Sequence, residues 1–192
     1  MAPATAFPVS KHGLPDGKFE MLRHYDTVCF VDDSGSMTFT NGKENAIGHR
    51  EWSAKDMTIE FVVIAAQYDS TGIDVHFLNR KERQGLNLAV NRLFARPTPG
   101  GATPLGTKLK EIMELYCDLL KEAKRDKEQK LPPPVNYIVL TDGKREPGEE
   151  KSKLTNFLKS TAQLLQGLEY HENQIGIQFG RVGSDKSATE FL

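Results

Sequence analysis

Apolar and polar positions along the chain fall into two recurring patterns, short strand-like segments and longer amphipathic stretches, and they alternate. The runs Asp26 to Val31, Ile73 to Leu78, Val135 to Leu140 and Gln174 to Phe179 are rich in β-branched and aromatic residues. They read as buried strands, and a weaker run near Leu86 to Val90 reads as a further one. Between them, Glu51 to Tyr68 places Trp52, Ile59, Val62, Val63 and Ala66 on one stripe, with Glu51, Lys55, Asp56, Glu60 and Gln67 over the rest. That spacing predicts a helix packed on a sheet. Leu105, Leu109, Ile112, Met113, Leu119 and Leu120 predict a second helix, running into the solvated tract Lys121 to Lys130 and stopped by Pro132, Pro133 and Pro134. A third starts near Pro147, carries Glu149 and Glu150 in its first turn and ends near Gly167, with Leu154, Phe157, Leu158, Leu165 and Leu168 as its apolar stripe. Ser187 and Glu190 have capping-box spacing, so another helix is expected to start as the sequence ends.

Strands alternating with helices of this length imply an α/β fold. The expected architecture is a doubly wound, mostly parallel sheet with helices on both faces and one short antiparallel edge strand. Residues 1–22, with Pro3, Pro8, Gly13, Pro15 and Gly17 in no period, read as an irregular leader, and 23–192 as a single domain. A chain of 192 residues is long enough to bury roughly 70% of its unfolded surface in one such unit.

Charge narrows the functional classes. The formal net charge is −1, so no bulk electrostatic footprint argues for nucleic acid or an anionic membrane. No segment reaches the roughly 18 apolar residues of a membrane span, and the N-terminus lacks a signal-peptide pattern. Cys29 and Cys117, the only cysteines, sit in apolar segments and match neither a disulfide framework nor a zinc spacing. The expectation is a reduced, cytoplasmic or otherwise intracellular protein.

The chemistry gathers at three strand or loop ends. The first strand stops at Asp32, followed by Ser34 and Ser36 at alternate positions, with Gly35 expected to let the backbone bend. The segment Pro99 to Gly106 places Thr103 in a glycine-rich loop ahead of a helix, with Pro104 suited to its first turn. The third strand ends in Thr141, Asp142 and Gly143. In an open α/β sheet these segments return to one edge, where hydroxyls and two carboxylates suit a hard divalent cation. Taken alone, Asp32 to Ser36 reads equally well as an Asx-type turn, and Thr103 as a helix N-cap. The five histidines, His12, His24, His49, His76 and His171, show no ligand spacing. Trp52 reads as packing and Arg80 to Arg83 as a solvated loop; Thr38 to Arg50 reads as either a specificity loop or a plain connector.

Together, Asp32-x-Ser34-x-Ser36, Thr103 in Gly-Gly-Ala-Thr-Pro and Asp142 in Thr-Asp-Gly resemble, in this order, the von Willebrand factor type A domain with its metal-ion-dependent adhesion site. The resemblance covers roughly residues 24–192, and Tyr68 to Leu78 is similar to intracellular fungal members. It implies that Ser34, Ser36 and Thr103 bind Mg²⁺, Ca²⁺ or Mn²⁺ directly, with Thr103 doing so in one of two loop states, and that Asp32 and Asp142 act mainly through water. Asp33 stands outside the pattern, as an acceptor behind these ligands. The implied function is divalent-metal-dependent protein binding, in which an aspartate or glutamate carboxylate of a protein or peptide partner completes the coordination. It implies no enzyme activity. Two alternatives remain. One is a metal-dependent phosphoryl-transfer or hydrolytic enzyme with Asp32 or Ser34 as nucleophile, disfavoured because no second carboxylate follows Asp32 by two residues and neither a Gly-x-Ser-x-Gly elbow nor a phosphate loop appears. The other is a scaffold that binds through a metal-independent surface.

Overall fold

The structure, a computed structural model, describes residues 20–38, 68, 72–79, 84–86, 100–143 and 151–182. Their strands are β1 (Asp26–Val31), β2 (Ile73–Phe77), β3 (Gln84–Leu86), β4 (Val135–Thr141) and β5 (Ile175–Arg181), with helices α1 (Leu105–Arg125) and α2 (Lys151–Gly167). Short 3-10 turns span Glu20–His24, Gly35–Thr38 and Glu172–Gln174. The expected helix over 51–68, the loops 39–50 and 80–83, residues 87–90, the start of the third helix near Pro147, the C-terminal helix and most of the leader lie outside the described residues.

The sheet has the order β3-β2-β1-β4-β5. β1, β2, β4 and β5 are parallel, and β3 pairs antiparallel with β2 at one edge. This is the Rossmann-like arrangement, with one short reversed edge strand as expected. β4 is buried at all seven positions, as a continuous apolar run in a central parallel strand requires. Four strands fall within a residue or two of expectation, with β2 stopping at Phe77 rather than Leu78 and β4 continuing to Thr141, whereas β3 begins at Gln84 and shares only Leu86 with the run expected near Leu86 to Val90.

Side chains alternate across the sheet. Phe30, Val135, Tyr137 and Val139 join Leu105, Leu109 and Met113 of α1 in one core, against which Val28, Ile175, Ile177, Phe179 and the α2 residues Leu154, Phe157 and Leu158 also pack. Both described helices therefore lie on one face. The opposite face is covered too, since Cys29, Val31, Val75, Ile138 and Leu140 are buried. Both cysteines are free and buried, and among the described residues no helix is long and apolar enough to cross a membrane.

Within α1 the buried stripe is Leu105, Leu109, Met113, Cys117 and Leu120. Leu119, expected in that stripe, is 46% exposed, because it lies one residue and so about 100° from Leu120 around the helix. The helix ends at Arg125, inside the charged tract, and the prolines then lead into β4. This crossing is tied down by polar contacts. Tyr116 donates to the Pro133 carbonyl at 2.6 Å, and Gln174 Nε2 donates to Tyr116 Oη at 2.7 Å. Asp26 N–H donates to the Pro134 carbonyl at 2.8 Å.

After Gly167, the last residue of α2, the chain reverses at Glu169, which holds a left-handed φ of 59°. The stop expected near Gly167 is correct, but the unusual backbone falls two residues later, on a side chain that disfavours it by roughly 1 kcal/mol. Glu169→Gly is therefore expected to stabilise the protein by about 0.5–1 kcal/mol, the extra entropy of an unfolded glycine offsetting part of the gain. Urea unfolding of both proteins measures it, and equal or lower stability of the variant would show that the turn is not strained.

Candidate functional site

Connections from β1 to β2 and from β4 to β5 run to opposite sides, so the strand order reverses between β1 and β4. Open α/β sheets bind ligands beyond the carboxyl ends of the strands at this reversal. Asp32 follows β1 there and Asp142 follows β4. The register aligns Val31 with Leu140, so both strands deliver their next residues to the same level.

Asp32 is wholly buried. Its Oδ1 accepts the Ser34 N–H at 2.9 Å, and its Oδ2 accepts the Thr141 hydroxyl at 2.6 Å. The Asp32 N–H also donates to the Leu140 carbonyl at 2.8 Å, so the loop after β1 is bound to β4 through both backbone and side chain. The Asx-type turn expected from the sequence is thus present, but only one carboxylate oxygen makes it. Ser34 and Ser36 hydroxyl oxygens lie 3.1 Å apart.

The third segment is knitted to the first. Gly100 N–H donates to the Asp33 carbonyl at 2.9 Å, and Gly35 N–H to the Gly101 carbonyl at 3.4 Å. Asp33 Oδ1 accepts from the backbone and side-chain nitrogens of Asn79, at 2.7 and 3.2 Å, and Asn79 Nδ2 also donates to the Ala102 carbonyl at 3.0 Å. Asn79 therefore fixes the backbone next to Thr103, and sequence reasoning missed it. Its position just past the end of β2 was the available signal. The hydrogen bonds Asp33 accepts here come from Asn79, which is not among the candidate ligands, and they serve loop geometry.

Thr103 is buried, yet it does not cap α1. The residue flanking that helix is Pro104, and no side-chain hydrogen bond caps its start. Pro104 accordingly sits just before the first turn rather than in it. The glycine expected to matter, Gly35, has an ordinary backbone with open space around the position of a Cβ. The demanding positions are Gly101, at φ 96°, where a Cβ would lie 2.8 Å from Asn79 Oδ1, and Gly143, at φ 76°. Gly143 also donates its N–H to Thr141 Oγ1 at 3.0 Å, leaving that hydroxyl free to donate to Asp32.

The structure thus brings Asp32, Ser34 and Ser36 together, joins the loop carrying Thr103 to them, and sets Asp142 near enough to act on Asp32 electrostatically. Burial pushes the Asp32 carboxyl up from its ordinary 3.8 to about 6; hydrogen bonds from Ser34 and Thr141 oppose this, and the negative Asp142 adds to it. Among the described residues no three His, Cys, Asp or Glu side chains cluster as a metal site, so a cation here would have to draw on hydroxyls. Hydroxyl and carboxylate oxygens with this net negative charge are hard donors, suited to Mg²⁺, Ca²⁺ or Mn²⁺. Of the described histidines, His171 accepts the Asn173 N–H at 3.2 Å, an ordinary turn contact. No family model matches the chain, and no curated protein matches it.

A raised carboxyl pKa makes ionised Asp32 a cost to the folded state. The cost is absent below about 3.8, where folded and unfolded forms are both protonated, and complete above about 6. In EDTA, stability relative to Asp32→Asn should therefore fall by on the order of 2–3 kcal/mol as pH rises through that window. Paired urea titrations at pH 4 and pH 7 measure the difference; a pH-independent gap would mean that Asp32 is solvated or neutralised by other means.

Proposed function

We propose that the chain is a von Willebrand factor type A domain acting as a divalent-metal-dependent protein-binding module. The observation that carries this reading is the joining of three distant segments, the loop after β1 to β4 through Thr141 and Asp32 and to the Thr103 loop through Gly100 and Asp33. A plain turn after β1 would need neither connection. Further support comes from the two acidic strand ends at the topological switch point and from an Asp32 whose electrostatic neighbour is another carboxylate.

Ser34, Ser36 and Thr103 would hold the cation directly, with Asp32 and Asp142 balancing its charge through water. When bound, the ion supplies a Lewis-acidic position that a partner's aspartate or glutamate completes. Thr141 keeps the Asp32 carboxylate aimed, and Asn79 keeps the Thr103 loop at its height. A phosphoryl-transfer or hydrolytic role has less support, because a nucleophile needs an accessible oxygen, whereas Asp32 is fully buried with both oxygens hydrogen-bonded.

Calorimetric titration of Mg²⁺, Ca²⁺ and Mn²⁺ tests the reading. The native chain should bind in the micromolar to millimolar range expected of a shallow, partly hydrated site, and Ser34→Ala should weaken binding about tenfold or more. Identical titrations of the two proteins, or no binding of any of the three ions, would overturn it.

A further inference from the structure

Helices α1 and α2 do not close fully on each other. Between them runs a cleft of about 650 Å³, within the range of small-molecule sites, whose apolar lining includes Leu154, Phe157 and Leu164. Along α2 the lining follows one row. Lys153, Phe157 and Thr161 are four residues apart, so a cation, an aromatic ring and a hydroxyl succeed one another at steps of about 6 Å. From α1 come Lys121 and Lys110, whose ammonium lies 6.0 Å from the centre of the Phe157 ring.

These cations are unequally paired. Lys121 is bound to Asp118 at 2.7 Å, whereas Lys110 reaches Glu114 only at 3.6 Å, with both side chains about half exposed. Among the described residues Lys153 meets no carboxylate. The Phe157 end of the cleft therefore carries an excess of positive charge. Thr161 is the informative member of the row. It is only 7% exposed, and among the described residues its hydroxyl has no hydrogen-bond partner. Ser160, next to it, returns its hydroxyl to the carbonyls of Asn156 and Phe157 at 2.8 and 3.0 Å, the ordinary course for a hydroxyl within a helix. A hydroxyl left unsatisfied in so enclosed a place is costly, and a polar group arriving from the cleft recovers that cost.

We propose that the cleft is a second binding site, separate from the strand-end site, for a small aromatic acid that carries a polar group opposite its acidic one. The acidic group lies between Lys153 and Lys110, the rings lie along Phe157 and Leu164, and the polar group bonds the Thr161 hydroxyl. Each lining group decides one property of the ligand: the lysines its sign, the phenyl ring its shape, the threonine its far end. Eight residues separate Lys153 from Thr161, about 12 Å along the helix, a span that a fused two-ring acid bridges through one hydrogen bond at each end.

Fluorescence titration in EDTA with 6-hydroxy-2-naphthoate as the probe tests the site. The native chain should bind it at about 10–300 µM. The analogue without the hydroxyl, 2-naphthoate, should bind about fivefold more weakly, and Thr161→Val should weaken the hydroxylated acid by the same factor while leaving 2-naphthoate within about twofold. Lys153→Gln should weaken both acids about threefold and leave uncharged 2-naphthol unaffected, whereas Lys159→Gln, a control at an exposed position of α2, should change nothing. No binding of the hydroxylated acid below about 2 mM, or a Thr161→Val or Lys153→Gln variant that binds it as the native chain does, overturns the proposal. So does an equal loss in Lys159→Gln, which would mark adsorption to surface lysines. Should Thr161→Val fail to fold, as judged by its far-ultraviolet circular dichroism spectrum, equal affinities of the native chain for the two acids overturn the proposal on their own. Every titration runs without a divalent cation, so its failure is separable from failure of the metal-binding reading.

Discussion

A carboxylate buried at the end of a central strand is the constraint around which this protein is organised. Asp32 is fully excluded from solvent and another carboxylate, Asp142, acts on it, a combination that water would ordinarily relieve. Two hydrogen bonds offset part of the cost, and each comes from a place that must be held still to provide it. The Thr141 hydroxyl can donate because Gly143 supplies it with a donor of its own and β4 is buried along its whole length. The Ser34 amide can donate because the chain turns immediately after β1. The local polar chemistry thus depends on the rigidity of the two most buried strands.

Topology explains why this arrangement occurs here and not at another strand end. β1 and β4 are neighbours in space but far apart in sequence, and connections leave them in opposite directions, so the space above their carboxyl ends is not crossed by a crossover linking them. Loops from three segments can enter that space. The backbone bonds between residues 100–101 and 33–35 occupy it, and the left-handed glycine at position 101 is what allows the loop to approach Asn79 so closely. Ala at 101 would meet both an unfavourable φ and an occupied position.

Much of this could be read from the sequence, for identifiable reasons. β1 and β4 are nearly continuous apolar runs and β2 and β5 alternate apolar with polar or glycine positions, and the recurrence of such segments between amphipathic stretches left few α/β alternatives. Asp32, Ser34, Ser36, Thr103 and Asp142 stood out because polar residues gathered at their ends. What escaped was long-range. Asn79 is one asparagine after a strand, and its importance comes from partners at 33 and 102 that no local pattern connects. Gly35 looked more special than it is, since flanking serines suggest a tight bend and do not report φ. Leu119 lies at the margin of the stripe, about 100° from Leu120, and spacing alone does not say on which side of Leu120 the buried arc ends.

Asp32 and Asp33 show how adjacent, equally acidic residues come to have separate duties. Both are buried, at 0% and 2% exposure, so solvent does not distinguish them. Their partners do. Asp33 is matched by two nitrogens of a single asparagine, whose side chain also binds the loop next to Thr103, so its charge is spent on holding backbone in place. Asp32 is also met by neutral dipoles, one amide and one hydroxyl, but they tie the loop after β1 to β4, and Asp142 acts on it electrostatically. Two carboxylates that act on each other at the topological switch point, beside hydroxyl oxygens 3.1 Å apart, are what the proposed cation would neutralise.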